Sequence, residues 1–357
     1  VRVLVAPDSL GGTLSAPAVA AAVAEGWARS RPGDDVTVLP LSDGGEGLVE
    51  VVAALDGASV QRLEVVDPRG LAREARWVRL ADGTAVVESA QACGLAHLDP
   101  DRRDPRRTTT WGVGQLLDAA RRAGARRVLV GLGGSATVDG GAGALCGLGF
   151  RLTVEDGAGL KIGGQDLPRV TGAARTWVAD WDGIEVELLA DVTTLLADAA
   201  RLFGPQKGAD EATVAHLERG LDAWRRVCED DLGAAGDLAV APGSGAAGGL
   251  GYGLAAGLGA RLVSGAATVA GLVGLQAALA GVDVVVTGEG RLDPSSAAGK
   301  VASHLRSAHA GRLLAVTGTQ GAAPSDLVAD LEPAATAGAV ADADAVADAA
   351  TRLADRA

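Results

Sequence analysis

Two α/β domains with parallel or mixed sheets are what this sequence predicts, on three observations. Its first fifty residues read twice over as strand, polar loop and helix, the pattern of a parallel sheet. Residues 60–90 then switch to short strands joined by tight turns, which is antiparallel material. The chain has 357 residues, room for two domains at ~100–200 residues each.

The elements follow in order. Residues 1–6 are a β-branched run that ends at Pro7-Asp8-Ser9. Residues 15–30 carry helical spacing, with Pro17 in the first turn, where a missing N–H is tolerated. A second strand over 35–40 ends at Ser42-Asp43-Gly44-Gly45-Glu46-Gly47, and a helix follows. Runs at 60–66, 72–80 and 84–88 read as strands, with Asp67-Pro68-Arg69-Gly70 and Asp82-Gly83 as turns. A helix near 112–123 leads into a buried strand at 127–131. Residues 185–191 form another strand and 210–232 an amphipathic helix. Core strands follow at 282–287 and 313–317, and the acidic, Ala-rich tail 341–357 reads as a solvated outer helix. The middle differs from both ends. The expected division is one discontinuous α/β domain of residues 1–60 and 270–357, with 61–269 as a second, inserted one.

Composition removes several function classes. Lys and Arg total 32 against 45 Asp and Glu, a formal net charge of −13. Such a chain repels phosphate backbones, which argues against nucleic acid as a partner. No apolar run reaches the ~18–20 residues of a membrane span. No secretory pattern opens the sequence, so a cytoplasmic protein is expected. Cys93, Cys146 and Cys228 are far apart and lack metal-ligand spacing, which reads as reduced, buried thiols. Only Lys161, Lys207 and Lys300 are lysines. In a chain that otherwise uses Arg, a lysine inside a glycine loop points to a compact charge at an anion.

Glycine numbers 52, about one residue in seven, and it clusters in six loops, most of them after a predicted strand. They span 8–13, 43–47, 131–143, 203–208, 242–251 and 287–293, the last followed by Gly299-Lys300. Glycine lets backbone N–H groups approach an anion, and a following helix N-terminus favours negative charge. The third loop fits phosphate best: strand, glycines with Ser135 and Thr137, then a helix. A P-loop is excluded because Val301 follows Gly299-Lys300. A dinucleotide fingerprint starts at Gly131-Leu132-Gly133, then meets Ala136 and an Arg at 151 where an acid is wanted. A nicotinamide-dependent oxidoreductase is therefore a weak alternative. Acids stand at or near strand ends: Asp8, Asp43, Glu46, Asp139, Asp191, Glu289 and Asp293. Each can cap a helix. Each can also serve a Mg2+–phosphate site, or take the proton from a hydroxyl nucleophile.

Read together, Ala6-Pro7-Asp8-Ser9, residues 42–47, Thr108-Thr109-Thr110-Trp111-Gly112 and residues 131–143 resemble the bacterial glycerate kinase family of type I. Residues 203–209, 245–251 and 287–293 extend the resemblance in register to about residue 320. It implies two α/β domains with an active-site cleft between them. It also implies ATP- and Mg2+-dependent phosphorylation of D-glycerate, at the 2-hydroxyl. Residues and resemblance together assign Asp191, Lys207 and Asp293 to catalysis, with Asp191 as the base. Gly133, Gly134, Ser135, Glu289 and Lys300 are assigned to the nucleotide, and Asp191 and Glu289 to Mg2+. Asp8, Ser9, Asp43 and Gly44 are assigned to the substrate. The expected partner is a glycerate-like hydroxy acid, with a homodimer as the expected assembly. The chain departs from the family pattern at Gly11 (usually Lys), Val138 (usually Asn), Thr194-Leu195 (usually within Asn-Pro-Leu) and Ser295 (usually Gln). A lost Lys and a lost amide remove groups a site would use. The expectation is weaker turnover of D-glycerate, another hydroxy acid, or a ligand-binding homologue without turnover.

Overall fold

The computed structural model describes residues 1–160, 163–291, 300–319, 327–335 and 340–357. Among these the strands are β1 (Arg2–Val5), β2 (Asp35–Val38), β3 (Ser59–Val66), β4 (Ala72–Arg79), β5 (Ala85–Glu88), β6 (Arg127–Gly131), β7 (Arg151–Val154), β8 (Val170–Ala174), β9 (Glu185–Leu189), β10 (Arg261–Val263), β11 (Val284–Glu289), β12 (Arg312–Thr319) and β13 (Asp330–Ala335). The chain divides into two units, Val1–Leu55 with Ser264–Ala357, and Asp56–Val263. No described helix is long and apolar enough to cross a membrane.

In the first unit five strands lie parallel in the order β13-β12-β11-β1-β2. The central strands are apolar without interruption because both faces are covered. Val3, Val5 and Val286 point into one layer with Val19, Val23 and Trp27 of the helix Ala16–Ser30. Leu4, Val285 and Leu313 point into the other, with Ala270 of Gly265–Leu272 and Leu305 of Val301–Ala308. From β1 the chain goes to β2 on one side, whereas β11 on the other side leads to β12 and β13. The order reverses between β1 and β11. In open α/β sheets, ligands gather at such a point, outside the carboxyl ends of the strands.

The tail differs from its expected solvated state. Helix Ala343–Asp355 buries Val346, Ala347, Ala350 and Leu353. Gly26 meets it so closely that a Cβ there would lie 2.0 Å from the Ala347 carbonyl oxygen. Small residues allow two helices to approach this far, and an alanine stripe reads as polar only in composition.

The second unit holds a six-stranded sheet in the order β10-β9-β6-β5-β4-β3. It is parallel from β10 to β5 and antiparallel from β5 to β3. A separate hairpin pairs β7 with β8, too short and too polar at Arg151, Thr153 and Gly172 to show a period in sequence. Because β5, β6, β9 and β10 are parallel, Glu88, Gly131, Leu189 and Val263 close them at one edge.

Candidate active site

In the second unit the loop after β6 is built around a turn. Gly131 pairs with Leu189, so Gly133 and Asp191 each leave the sheet two residues beyond that pair, on adjacent strands. Gly134 takes a left-handed φ of 74°. The turn is fixed from outside. Leu95 N–H donates to the Gly134 carbonyl at 2.8 Å, and Ala136 N–H to the Cys93 carbonyl at 2.8 Å. Among the described residues, none of the N–H groups of Gly133, Gly134 and Ser135 donates to a protein acceptor. Consecutive N–H groups of this kind form a concavity that receives an anion.

Lys207 enters from the 3-10 turn Pro205–Lys207. It is buried, and its Nζ donates to Ser135 Oγ at 3.0 Å and to the Thr137 carbonyl at 2.8 Å. The Phe203 ring lies 5.8 Å from Nζ. Burial pushes the ammonium pKa down to about 8, against the opposing pull of Cys93 and Asp139. The Cys93 thiol is pushed up to about 12, chiefly by burial and then by Asp139. It is inert as a nucleophile at neutral pH.

In the first unit three carboxylates stand at the ends of adjacent strands. Glu289 is the last residue of β11 and is buried. Asp8 follows β1, where its N–H donates to the Gly288 carbonyl at 2.8 Å. Its carboxylate accepts Ser9 N–H at 2.6 Å and Asp43 N–H at 3.2 Å. Burial raises the Asp8 pKa well above the usual carboxylate range, and the charges of Asp43 and Glu289 add to it. Asp43 is no helix cap: it accepts Gly45 N–H at 2.9 Å, while Ser42 Oγ accepts Gly44 N–H at 3.1 Å. Lys300 precedes the helix Val301–Ala308. Lys207 is bonded at the Gly133–Ser135 turn, whereas Lys300, assigned to the nucleotide from sequence, belongs to the other unit. Asp293, Ser295 and Lys161 lie outside the described residues.

Other sequence assignments change meaning. Asp139 accepts Thr110 N–H at 2.8 Å, Thr110 O–H at 2.9 Å, Gly141 N–H at 3.1 Å and Gly143 N–H at 3.3 Å. Burial still pushes its pKa up. This carboxylate is consumed in closing the loop. Sequence reasoning noted the three threonines but missed this clamp, since position 110 meets 139 only in the fold. The glycines of 242–251 serve packing: Gly248 has φ 67°, and a Cβ there would lie 2.0 Å from the Thr137 carbonyl oxygen. Val138 is fully buried in the apolar core of its unit. Its departure from the family pattern is a core change and removes no group from a loop surface. Gly11 is exposed, with open space where a Cβ would stand. Thr194 turns its carbonyl to Gly245 N–H at 2.9 Å, a backbone role that any side chain permits.

A profile of the glycerate kinase family matches residues 3–357. An uncharacterized protein of Mycobacterium bovis is 44% identical over 313 residues, covering 86% of this chain and 75% of that one. Glycerate 2-kinase of Escherichia coli K12 is 36% identical, covering 84% and 80%. A crystal structure from Salmonella typhimurium LT2, provisionally designated glycerate kinase 2, superposes with a TM-score of 0.81 at 32% identity, covering 99% and 97%.

Proposed function

The chain belongs to the glycerate kinase family, and from that premise we propose that it transfers the γ-phosphoryl group of ATP to the 2-hydroxyl of D-glycerate, giving 2-phosphoglycerate. The observation that carries this is the Gly133–Ser135 turn, whose N–H groups have no acceptor among the described residues and beneath which a buried ammonium is seated. Phosphoryl transfer is mostly positioning and charge stabilisation. In this reading Gly133, Gly134 and Ser135 receive phosphate oxygens, and Lys207 supplies the charge. Lys is suited to this place because a compact ammonium fits where the Arg fork would not.

Asp191, beyond the end of β9, takes the proton of the attacking hydroxyl. Asp8, Ser9, Asp43 and Gly44 bind glycerate, whose hydroxyls can donate to carboxylates at the β1–β11 crevice. Glu289 and Lys300 serve the nucleotide, and Asp293 is assigned with Asp191 and Lys207 to the transfer itself. Glu289 and Asp191 are the carboxylates offered to Mg2+, each at or just beyond the end of a parallel strand. Among the described residues no three His, Cys, Asp or Glu gather to hold a metal. Mg2+ takes one or two carboxylates and completes its shell from phosphate and water. Mg2+ would neutralise charge on the phosphate oxygens.

Coupled ADP release over a panel of hydroxy acids, with NMR identification of the product, tests the proposal. Mg2+-dependent release with D-glycerate, yielding the 2-phosphate, is expected. Release stimulated by no hydroxy acid sinks it. Asp191→Asn is expected to lower kcat by ~10²–10⁴ with nucleotide binding retained, and near-normal turnover would remove Asp191 from the role.

A further inference from the structure

Arg102, Arg103, Arg106 and Arg107 fall within six residues of a chain whose net charge is −13. They belong to the segment that enters the helix Trp111–Arg122. A cavity of about 280 Å3 opens there, lined by Arg69, Arg102, Asp104, Arg107 and Thr108. Asp104 is the single acid of that lining, and it is already taken. Arg106 donates to it through Nε and Nη2, both at 3.0 Å, and this holds its carboxyl below the usual range. Among the described residues the guanidinium groups of Arg69, Arg102 and Arg107 make no hydrogen bond and no ion pair. Some arginines of the same unit are paired, Arg121 with Asp118, Arg127 with Glu187 and Arg225 with Glu229. Three guanidinium groups without a hydrogen-bond or ion-pair partner therefore line one concave volume, the charge of Arg107 reaching Asp104 only through space.

Two hydrogen bonds fix the cavity. Thr109 N–H donates to the Pro68 carbonyl at 2.8 Å, which holds the Arg69 turn against the arginine segment. Thr108 Oγ1 donates to the Ala136 carbonyl at 2.8 Å. Lys207 grips Ser135 and Thr137, the residues on either side. The cavity thus adjoins the glycine turn through Thr108.

We propose that this arginine cavity binds a phosphoryl group. A guanidinium fork pairs bidentately with phosphate oxygens. Three such forks match a dianion with three oxygens better than a single carboxylate. The phosphoryl group can come from the nucleotide's own polyphosphate or from a phosphorylated small molecule, and only that choice rests on the kinase reading above.

Calorimetry with inorganic pyrophosphate, ATP, AMP and 2-phosphoglycerate separates the cases. The variants are Arg69→Gln, Arg102→Gln and Arg107→Gln, singly and together, with Arg226→Gln as a control on an exposed helix face. Losing one charge-assisted contact should weaken pyrophosphate roughly tenfold, and the triple variant should weaken it further, with Tm unchanged because these side chains hold nothing in the fold. ATP weakening in step, with AMP unaffected, assigns the nucleotide. Weakening of 2-phosphoglycerate alone assigns a phosphoester. The proposal is overturned if the parent binds none of the phosphorylated probes, or if the triple variant binds them all as the Arg226→Gln control does. Because binding is read without turnover, a chain that fails to phosphorylate glycerate but loses pyrophosphate through these changes keeps the cavity and loses the kinase reading.

Discussion

The loop after β1 and the loop after β6 use the same vocabulary, an aspartate, a hydroxyl and glycines behind a buried strand, yet they end with opposite electrostatics. Asp8 sits among Asp43 and Glu289 and accepts only two backbone N–H groups. Its neighbours and its burial both favour the neutral acid. Asp139 is equally buried but accepts four donors from Thr110, Gly141 and Gly143, and the charge left for chemistry in its loop is the ammonium of Lys207. A buried carboxylate is structural where donors saturate it. Where other acids crowd it, it is poised to respond to a ligand.

The sharpest way to break this comparison is Asp139→Ala. It strands four buried donors at once, and unit 56–263 should lose about 3 kcal/mol or more in urea unfolding. An unchanged midpoint would mean the clamp is dispensable and the two aspartates are alike. Val138→Asn comes next. Restoring the family's residue buries an amide in an apolar core, at a cost of about 1–3 kcal/mol. Recovery of glycerate turnover without loss of stability would return position 138 to the site.

Lys207→Met should raise the KM for ATP at least ~tenfold, equivalent to ~1.4 kcal/mol. The parent carries the Lys207 charge below about pH 8 and loses it above. ATP affinity should therefore fall as pH rises through 8, and this fall should be absent in Lys207→Met. For stability the sign is opposite. The folded pKa is depressed, so the cost of burying the charge is fully present below about pH 8 and is relieved as pH rises further. The smallest stability effect belongs to Asp8→Asn. Since the folded pKa of Asp8 is raised, the parent gains stability from this group as pH falls from neutral toward the unfolded value. The variant should lose that pH dependence and be no less stable at pH 7, while the KM for glycerate rises roughly tenfold. A Tm drop at pH 7 with an unchanged KM would make Asp8 a second Asp139.

What the sequence determined by itself was local. The runs at 282–287 and 127–131 specify buried parallel strands, and the turn at 67–70 between two short runs specifies the β3–β4 hairpin. The glycine loops after β1 and β6 marked residues that stand beyond strand ends, and the scarcity of lysine marked Lys207. These readings succeed because period, turn chemistry and charge are properties of neighbours in the chain. Which glycines are free for a ligand was decided only by the tertiary structure. Gly248 is used up against Thr137, while the N–H groups at 133–135 meet no acceptor among the described residues. It also turned Val138 into the core, joined Thr110 to Asp139, and set Arg69 against the remote segment 102–108. A hydrogen-bond partner or a close backbone approach is a distance between residues remote in sequence, and no local pattern records it.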